Sequence, residues 1–406
     1  MFVWCDANVL CLIVPAAHCL GTMPSGGGGT PKSCAPIAAI CVRKFCVKSS
    51  TQDVPCGASA RLIMSLGNLR GAGREQMSKG FVSAFFCTVG AAFSILVSTS
   101  LPSYAQLRLE MRVVESETLN TSQFLTGTNH GRPVALAGEL RIPKPGTDKF
   151  PAVILIHGSG GIGALHARWV DELNSAGIAT FLVDSFSGRG IVNTNTDQSQ
   201  LDTLPMMVDA YRALALLAQH PRIDAGRIAV MGFSKGAVAA VYSSNERFRK
   251  MYGPSNAEFA AHIGMYTPCY TTYRDDDKVS SKPIRLFHGQ ADDWVPIQAC
   301  RDYVERLKKA GADVALTEYP GATHAYDYFV LKEPVKFPQA ETGRNCLLAE
   351  GDTGQILNTK TGAPFTWNDP CVERGTTIAY DEAATTATVK AVKDLLTAMP
   401  AVAMKH

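Results

Sequence analysis

The 406-residue sequence contains little that would attract nucleic acid or an anionic membrane surface. Only 18% of its residues are charged. The net charge of +3 arises from the first 105 residues, and residues 106–406 carry −2. A weakly acidic body provides no electrostatic attraction for either kind of polyanion. We therefore expect neither nucleic acid nor a membrane surface as a partner of this part of the chain.

Paired cysteines with C-x-x-C spacing are also absent, as are internal repeats. The chain has twelve cysteines, and seven of them lie in residues 1–76. Without the paired spacing, these residues do not have the pattern of a zinc-binding domain. No metal site is predicted anywhere in the sequence.

Residues 77–105 have the pattern of a secretory signal peptide. Lys79 precedes a long apolar run over residues 80–100, and a small-x-small site ends at Ala105. This pattern predicts cleavage after Ala105 and a secreted or periplasmic protein that is free of the membrane. The alternative is an uncleaved anchor, because the apolar run approaches the length that spans a bilayer.

The position of this signal peptide bears on the residues before it. A signal peptide begins a chain, yet residues 1–76 precede this one and show no sustained periodicity. Our hypothesis is that Met77 is the true start. Residues 1–76 would then be a non-native or disordered extension outside the working protein.

Residues 106–406 alternate strand patterns with helix patterns, which predicts one α/β domain. The predicted strands are 110–115, 134–143, 151–156, 178–183, 228–231, 260–265, 283–287 and 314–319, and the predicted helices are 164–176, 203–219, 297–309 and 381–399. This alternation predicts a mostly parallel, doubly wound sheet with helices on both faces. Residues 330–376 contain no predicted element and form an insertion too long for a plain connection. We expect it to border the substrate pocket, through Phe365 or Trp367.

The segment Ile228–Gly236 runs from an apolar strand through Gly-Phe-Ser-Lys-Gly into a helix of small residues. In this setting G-x-S-x-G is a nucleophile elbow. The turn is so sharp that side chains at 232 and 236 would collide, which explains the two glycines. The turn lifts the hydroxyl of Ser234 above the sheet. A structural turn is the alternative.

Two interpretations fit the glycine-rich segment His157–Gly161, which follows a central strand. It can supply one backbone N–H to an oxyanion, while Lys235, which follows the serine, supplies the second. The spacing Gly158-x-Gly-x-x-Gly163 also fits a dinucleotide fingerprint, with Asp184 as the ribose-binding acid. Export disfavours a nicotinamide cofactor, and that interpretation leaves the elbow unexplained.

Candidates for the base and the acid follow later strands. Asp292 and Asp293 lie just past the strand 283–287, and either can orient a histidine, although both also suit the charged start of a helix. His324 follows the last strand. The order serine, aspartate, histidine, each at the carboxyl end of a strand, favours His324 as the base over the other histidines.

Arg189 ends the segment after the strand 178–183. Its guanidinium can bind an anionic group of a substrate with two hydrogen bonds. Alternatively, it pins its own loop through backbone carbonyls or Asp184.

Taken together, these motifs resemble the α/β-hydrolases, and within them the dienelactone hydrolase-like group. The matching pieces, which span residues 134–400, are His157–Gly161, Asp184–Gly190, Gly232–Gly236, Gly289–Pro296 and Thr323-His324. The resemblance implies roles for five residues: Ser234 as nucleophile, His324 as base, Asp292 as acid, and Ser159 and Lys235 as backbone donors to the oxyanion.

The resemblance also implies an activity. Dienelactone hydrolases themselves carry cysteine at the nucleophile position, and serine at 234 favours ester hydrolysis instead. We therefore expect a carboxylic ester hydrolase that acts on a small-molecule ester without a metal or an organic cofactor. A peptidase on the same fold and an inactive binding protein are the alternatives.

Four cysteines lie beyond residue 105. An even number in an exported chain suggests disulfides, and four cysteines allow three pairings. We favour Cys346–Cys371, which would close the 330–376 insertion, and Cys269–Cys300, which would join a post-strand loop to a helix. Four buried thiols are the alternative.

Overall fold

The computed structural model of the chain divides into two units, Met1–Val97 and Ser98–His406. The structure describes residues 2–6, 9–12, 40–43, 108–128 and 131–400. In the first unit, the strands β1 (Phe2–Asp6), β2 (Val9–Leu12) and β3 (Ile40–Arg43) form an antiparallel sheet. The predicted signal peptide lies outside the described residues. Within the described part, no helix is long and apolar enough to cross a membrane.

The second unit contains thirteen strands and seven α-helices among its described residues. The strands are β4 (Arg108–Thr118), β5 (Arg132–Ile142), β6 (Phe150–Ile156), β7 (Ala179–Asp184), β8 (Ile223–Phe233), β9 (His262–Met265), β10 (Thr271–Thr272), β11 (Ile284–Gly289), β12 (Val314–Tyr319), β13 (Val335–Thr342), β14 (Leu348–Glu350), β15 (Ile356–Asn358) and β16 (Glu373–Ile378). The helices are α1 (Thr121–Thr126), α2 (Ala164–Ser175), α3 (Thr203–Ala218), α4 (Lys235–Tyr242), α5 (Glu246–Tyr252), α6 (Gln298–Lys309) and α7 (Glu382–Thr397).

Eight of these strands form the central sheet, in the spatial order β12-β11-β9-β8-β6-β7-β5-β4. The six strands from β12 to β7 are parallel, and β5 and β4 add antiparallel partners at one side. One face packs mainly against α3, α4 and α6, and the other mainly against α2 and α7. The prediction of a mostly parallel, doubly wound sheet with helices on both faces is confirmed.

The register of the sheet brings the predicted motifs to one edge. Ile156 at the end of β6 pairs with Gly232 near the end of β8, and Phe233 pairs with Met265 at the end of β9. On the other side, Gly289 pairs with Tyr319, so β11 and β12 also end level with each other. Loops that follow parallel strands emerge at the same edge.

The 330–376 insertion contains regular structure, so the prediction that it has none is wrong. Strands β13 and β16 form an antiparallel pair, while β14 and β15 form a three-stranded sheet with β10. Strands β14 and β15 have three residues each, which is too short to show an alternating pattern. The structure pairs Cys346 with Cys371 and Cys269 with Cys300, which are the two disulfides that the sequence favours.

Candidate active site

Ser234 lies at the turn between β8 and α4, in the strained conformation φ 50°, ψ −115°. A Cβ at Gly232 would lie 2.1 Å from the carbonyl oxygen of Gly236. A Cβ at Gly236 would in turn lie 2.3 Å from the carbonyl oxygen of Ile156 in the neighbouring strand. Only glycine fits at either position, because real Cβ atoms do not approach other atoms so closely. The turn therefore has the close packing of a nucleophile elbow.

Three of the predicted site residues meet at this turn. His324 Nε2 lies 3.0 Å from Ser234 Oγ, and His324 Nδ1 lies 2.8 Å from Asp292 Oδ2. The side chains of His324 and Asp292 are buried. An imidazole placed in this way can accept the hydroxyl proton at Nε2 while the carboxylate holds the proton on Nδ1.

Asp292 is held in its ionised form by its neighbours. Burial acts to raise the pKa of Asp292, but the charges of His324 and His288 and their hydrogen bonds hold it well below its usual value. The backbone N–H groups of Trp294 and Val295 donate to Oδ1 at 2.9 and 2.7 Å. These donors orient the carboxylate so that Oδ2 faces His324.

Asp293 points away from this cluster. Its Oδ1 accepts a hydrogen bond from the backbone N–H of Thr377 in β16, at 2.8 Å, and the residue is half-buried. Helix α6 begins only at Gln298. The alternative that Asp293 is a charge at the start of a helix is therefore wrong, because the insertion covers this loop and its Thr377 N–H donates to the Asp293 carboxylate.

The segment after β6 packs directly on the elbow. A Cβ at Gly158 would lie 2.9 Å from the carbonyl oxygen of Phe233, and His157 Nδ1 lies 2.8 Å from the carbonyl oxygen of Gly158. Within residues 131–400, no hydrogen bond has the backbone N–H of Ser159 or Lys235 as its donor. Neither N–H group is therefore committed to an acceptor in this part of the chain.

The side chain of Lys235 is buried beneath the same loops. Its Nζ donates to the carbonyl oxygen and to Oε1 of Gln198, at 3.1 and 3.0 Å, and Oε1 also accepts from Ser159 Oγ at 3.0 Å. Burial lowers the pKa of Lys235 to about 8, while the charges of Asp202 and Asp197 act in the opposite direction. Gln198 thus joins the loop that carries Ser159 to the residue after the nucleophile.

Arg189 does not face the site, so the substrate-binding role considered for it is wrong. Its Nη1 and Nη2 donate to the two carboxylate oxygens of Asp209 at 2.8 and 2.9 Å, and Nη1 also donates to the Ser185 carbonyl. Both side chains are buried. The alternative, an arginine that pins its loop through backbone carbonyls, fits these contacts. Its acidic partner is Asp209 rather than Asp184.

An apolar cavity of about 370 Å³ opens beside Ser234 and His324. Its large apolar side chains are Leu165, Phe233, Trp294, Tyr328, Leu331, Phe337 and Ile378. Two of these, Leu331 and Phe337, belong to the 330–376 insertion, which therefore borders the cavity as the sequence predicts. Trp367 lines a smaller space next to Ser234, whereas Phe365 lies further away in a second groove.

Sequence reasoning missed two residues around the base, and it also missed Gln198, which contacts Lys235 and Ser159. The rings of Tyr266 and Trp294 pack against His324, with centroids 4.7 and 4.9 Å away. Tyr266 follows β9 directly, so its place at a strand end was a usable signal. Gln198 has no such signal, because its partners lie elsewhere in the chain.

Among the described residues, no cluster of three or more His, Cys, Asp or Glu could hold a metal ion.

The sheet order, the serine elbow and the loops at the strand ends define an α/β-hydrolase. The profile of the dienelactone hydrolase family matches residues 136–337. The chain belongs to this family. The match supports the sequence-based prediction of a carboxylic ester hydrolase.

Two curated relatives are similar to parts of this chain. One is named as a probable 2-oxo-3-(5-oxofuran-2-ylidene)propanoate lactonase of Bradyrhizobium sp., 25% identical over 196 residues that cover 44% of this chain and 75% of the relative. The other is a dipeptidyl peptidase family member of Caenorhabditis elegans, 26% identical over 216 residues that cover 46% of this chain. The alignment spans 27% of that peptidase's length.

Similar solved structures include a dienelactone hydrolase-like promiscuous phosphotriesterase from metagenomic libraries. It has a TM-score of 0.45 and 14% identity, and the match covers 72% of this chain and 98% of that one. Esterase 2 of Thermogutta terrifontis has a TM-score of 0.39 and 19% identity, with coverages of 56% and 88%. Both TM-scores lie below 0.5, so the assignment depends on the family match and the topology.

Proposed function

We propose that this hydrolase cleaves carboxylic esters or lactones through Ser234, His324 and Asp292, by way of an acyl-enzyme. The observation that carries the proposal is the continuous chain of hydrogen bonds from the Asp292 carboxylate through His324 to the Ser234 hydroxyl, at the mouth of an apolar cavity. Serine, rather than the cysteine of dienelactone hydrolases, favours simple esters. The name of the lactonase relative supports lactones as a second substrate class.

The geometry supports a two-step mechanism. His324 Nε2 takes the proton of Ser234 Oγ as that oxygen bonds to the acyl carbon, and the oxyanion accepts the N–H groups of Ser159 and Lys235. Collapse breaks the bond to the alcohol, which leaves with the proton from His324. Water then attacks the acyl-enzyme, His324 accepts its proton, and Ser234 regains that proton as the acid departs. Every proton transfer is assigned to a side chain of this chain.

Hydrolysis of an ester panel tests the proposal. Purified protein should hydrolyse p-nitrophenyl esters, and Ser234→Ala should abolish turnover while the exposed control Ser175→Ala on α2 leaves it unchanged. Cleavage of peptidyl p-nitroanilides but not of esters would favour a peptidase, in line with the second relative. Failure to turn over either class, by a protein that is folded, would favour a binding protein.

We also propose that the protein is secreted or periplasmic after cleavage at Ala105, with residues 1–76 outside the working protein. The apolar run before Ala105 and the two disulfides support this location. N-terminal sequencing of the exported protein should begin at Gln106. A mature product that retains residues 1–76 would contradict the proposal.

A further inference from the structure

A second cavity near Ser234 differs from the apolar cavity in having charged side chains in its wall. Among the residues that the structure describes, no Asp, Glu, Lys or Arg lines the apolar cavity. The second cavity is a groove of about 450 Å³ lined by Asp202 and Lys235, and we call it the polar groove. Residues that line the polar groove include Gln198, Asp202, Lys235, Tyr270, Phe365 and Trp367.

The polar groove adjoins the space around the nucleophile. A small space of about 40 Å³ is bordered by Ser234 and also by Lys235, Tyr270 and Trp367, which line the groove as well. The groove and the space beside Ser234 therefore share these three side chains. This is the arrangement that the two halves of an ester require, because they diverge from the carbonyl that the serine attacks.

The charges of the polar groove balance. Its cation is Lys235, whose ammonium donates two of its three N–H groups to oxygens of Gln198. Its anion is Asp202, whose Oδ2 accepts from the backbone and side chain of Thr121. Within the described residues, Oδ1 of Asp202 has no donor. An anionic ligand would face Asp202 and a cationic one would face Lys235, whereas a neutral ligand with both donors and acceptors can satisfy both.

Aromatic rings complete the polar groove. Phe365 and Trp367 pack edge to face with centroids 5.5 Å apart, and both are partly exposed. Within the part of the chain that the structure describes, the indole N–H of Trp367 donates to no acceptor. Flat apolar faces beside hydrogen-bonding groups suit a ring whose faces are C–H and whose rim is hydroxylated.

We propose that the polar groove binds the polyhydroxylated alcohol part of the substrate, so that the substrate is an ester of a neutral sugar or similar polyol. This inference rests on the proposed ester hydrolysis at Ser234. A polyol contributes a hydroxyl to an ester, so it must be the departing alcohol. The acyl part then occupies the apolar cavity lined by Phe337 and Leu331.

A pair of esters with one acyl group tests the inference on the purified full chain. The value of kcat/KM for 6-O-butanoyl-glucose should exceed that for methyl butanoate by at least about tenfold, a barrier difference of about 1.4 kcal/mol. Trp367→Ala should lower kcat/KM for the glucose ester by a larger factor than for the methyl ester, and Trp367→Phe should retain most of the glucose ester's value. The matched aromatic control is Phe329→Ala, which lies outside both cavities and should change neither value. Phe337→Ala should lower both.

Binding of methyl glucoside provides a readout that does not depend on turnover. It should inhibit methyl butanoate hydrolysis by the wild-type protein competitively, and it should bind Ser234→Ala but not Trp367→Ala in calorimetry. Equal kcat/KM for the two esters, or a Trp367→Ala effect equal on both, would overturn the polyol site while leaving ester hydrolysis intact. If neither ester is hydrolysed, the proposed function itself fails. A higher kcat/KM for a butanoyl ester of glucuronic acid than for the glucose ester would overturn the inference that the alcohol part is neutral.

Discussion

Asp292 Oδ2 lies 2.8 Å from Nδ1 of His324, whereas the neighbouring carboxylate of Asp293 accepts from the backbone N–H of Thr377. An amide at 292 would present its N–H₂ to Nδ1 and favour the wrong tautomer. Asp292→Asn should therefore lower kcat by about 10⁴-fold. Asp293→Asn keeps an acceptor for the backbone N–H of Thr377, so its kcat should stay within about tenfold of the wild-type value. Steady-state kinetics on p-nitrophenyl butanoate measures both. The reverse pattern would show that the acid is misassigned.

The elbow glycine at 232 should tolerate no side chain. A Cβ there would meet the carbonyl oxygen of Gly236 at 2.1 Å, so Gly232→Ala should lower the free energy of unfolding by several kcal/mol or prevent folding. Gly163→Ala is the matched control, because its Cβ would lie 3.8 Å from the nearest atom, the hydroxyl of Tyr328. It should change stability by less than about 1 kcal/mol. Urea unfolding compares the two, and equal effects would contradict the packing account.

Much of the fold and of the nucleophile turn follows from local sequence patterns. Continuous apolar runs such as Val153–Ile156 predict buried central strands, and Gly-x-Ser-x-Gly predicts the elbow because its constraint lies within five residues. The pairing of Ser234 with His324 follows from their shared position after parallel strands. These features depend on short-range sequence or on the general geometry of parallel sheets.

Other features depend on contacts that no local pattern encodes. Arg189 pairs with Asp209, twenty residues away on α3, and nothing near either residue indicates that pairing. Gln198 becomes part of the site only because Lys235 and Ser159 converge on it. Asp293 was misassigned because its partner lies in β16, a strand of the insertion that shows no alternation in its sequence.

The buried ammonium of Lys235 should make stability depend on pH. Burial lowers the pKa of Lys235 to about 8, from an ordinary value of about 10.4 in the unfolded chain. Below pH 8 the folded protein carries the full free-energy cost of burying the charged ammonium. As the pH rises towards 10, the folded protein loses this proton while the unfolded chain keeps it, so the wild-type protein becomes more stable. The unfolding free energy of Lys235→Met, relative to wild type, should therefore decrease between pH 7.5 and 10, by on the order of 2 kcal/mol.

Urea titrations at the two pH values measure this change. Lys390→Met is the control, since Lys390 is exposed on α7 and its difference from wild type should stay constant. A constant difference for Lys235→Met as well would show that the ammonium is solvated or fully compensated.

The disulfide Cys346–Cys371 should stabilise the loop that carries Trp367. It closes 25 residues of the insertion, and its loss by a double change to serine should lower the free energy of unfolding by about 3 kcal/mol. The ratio of kcat/KM for the glucose ester to that for the methyl ester should also fall, because Trp367 lies in the loop that this disulfide closes. Peptide mapping without reduction should recover Cys346–Cys371 and Cys269–Cys300 as linked pairs. Four free thiols at these positions would reject both disulfides.

Covalent labelling with a fluorophosphonate tests the central claim, an activated serine at the elbow, most directly. Trypsin should release the segment Ile228–Lys235, since Arg227 precedes it and Lys235 ends it. The account predicts one stoichiometric adduct on Ser234 in this peptide, lost in Ser234→Ala and strongly slowed in His324→Ala. A folded protein that remains unlabelled, or that carries the adduct on another residue, would contradict it.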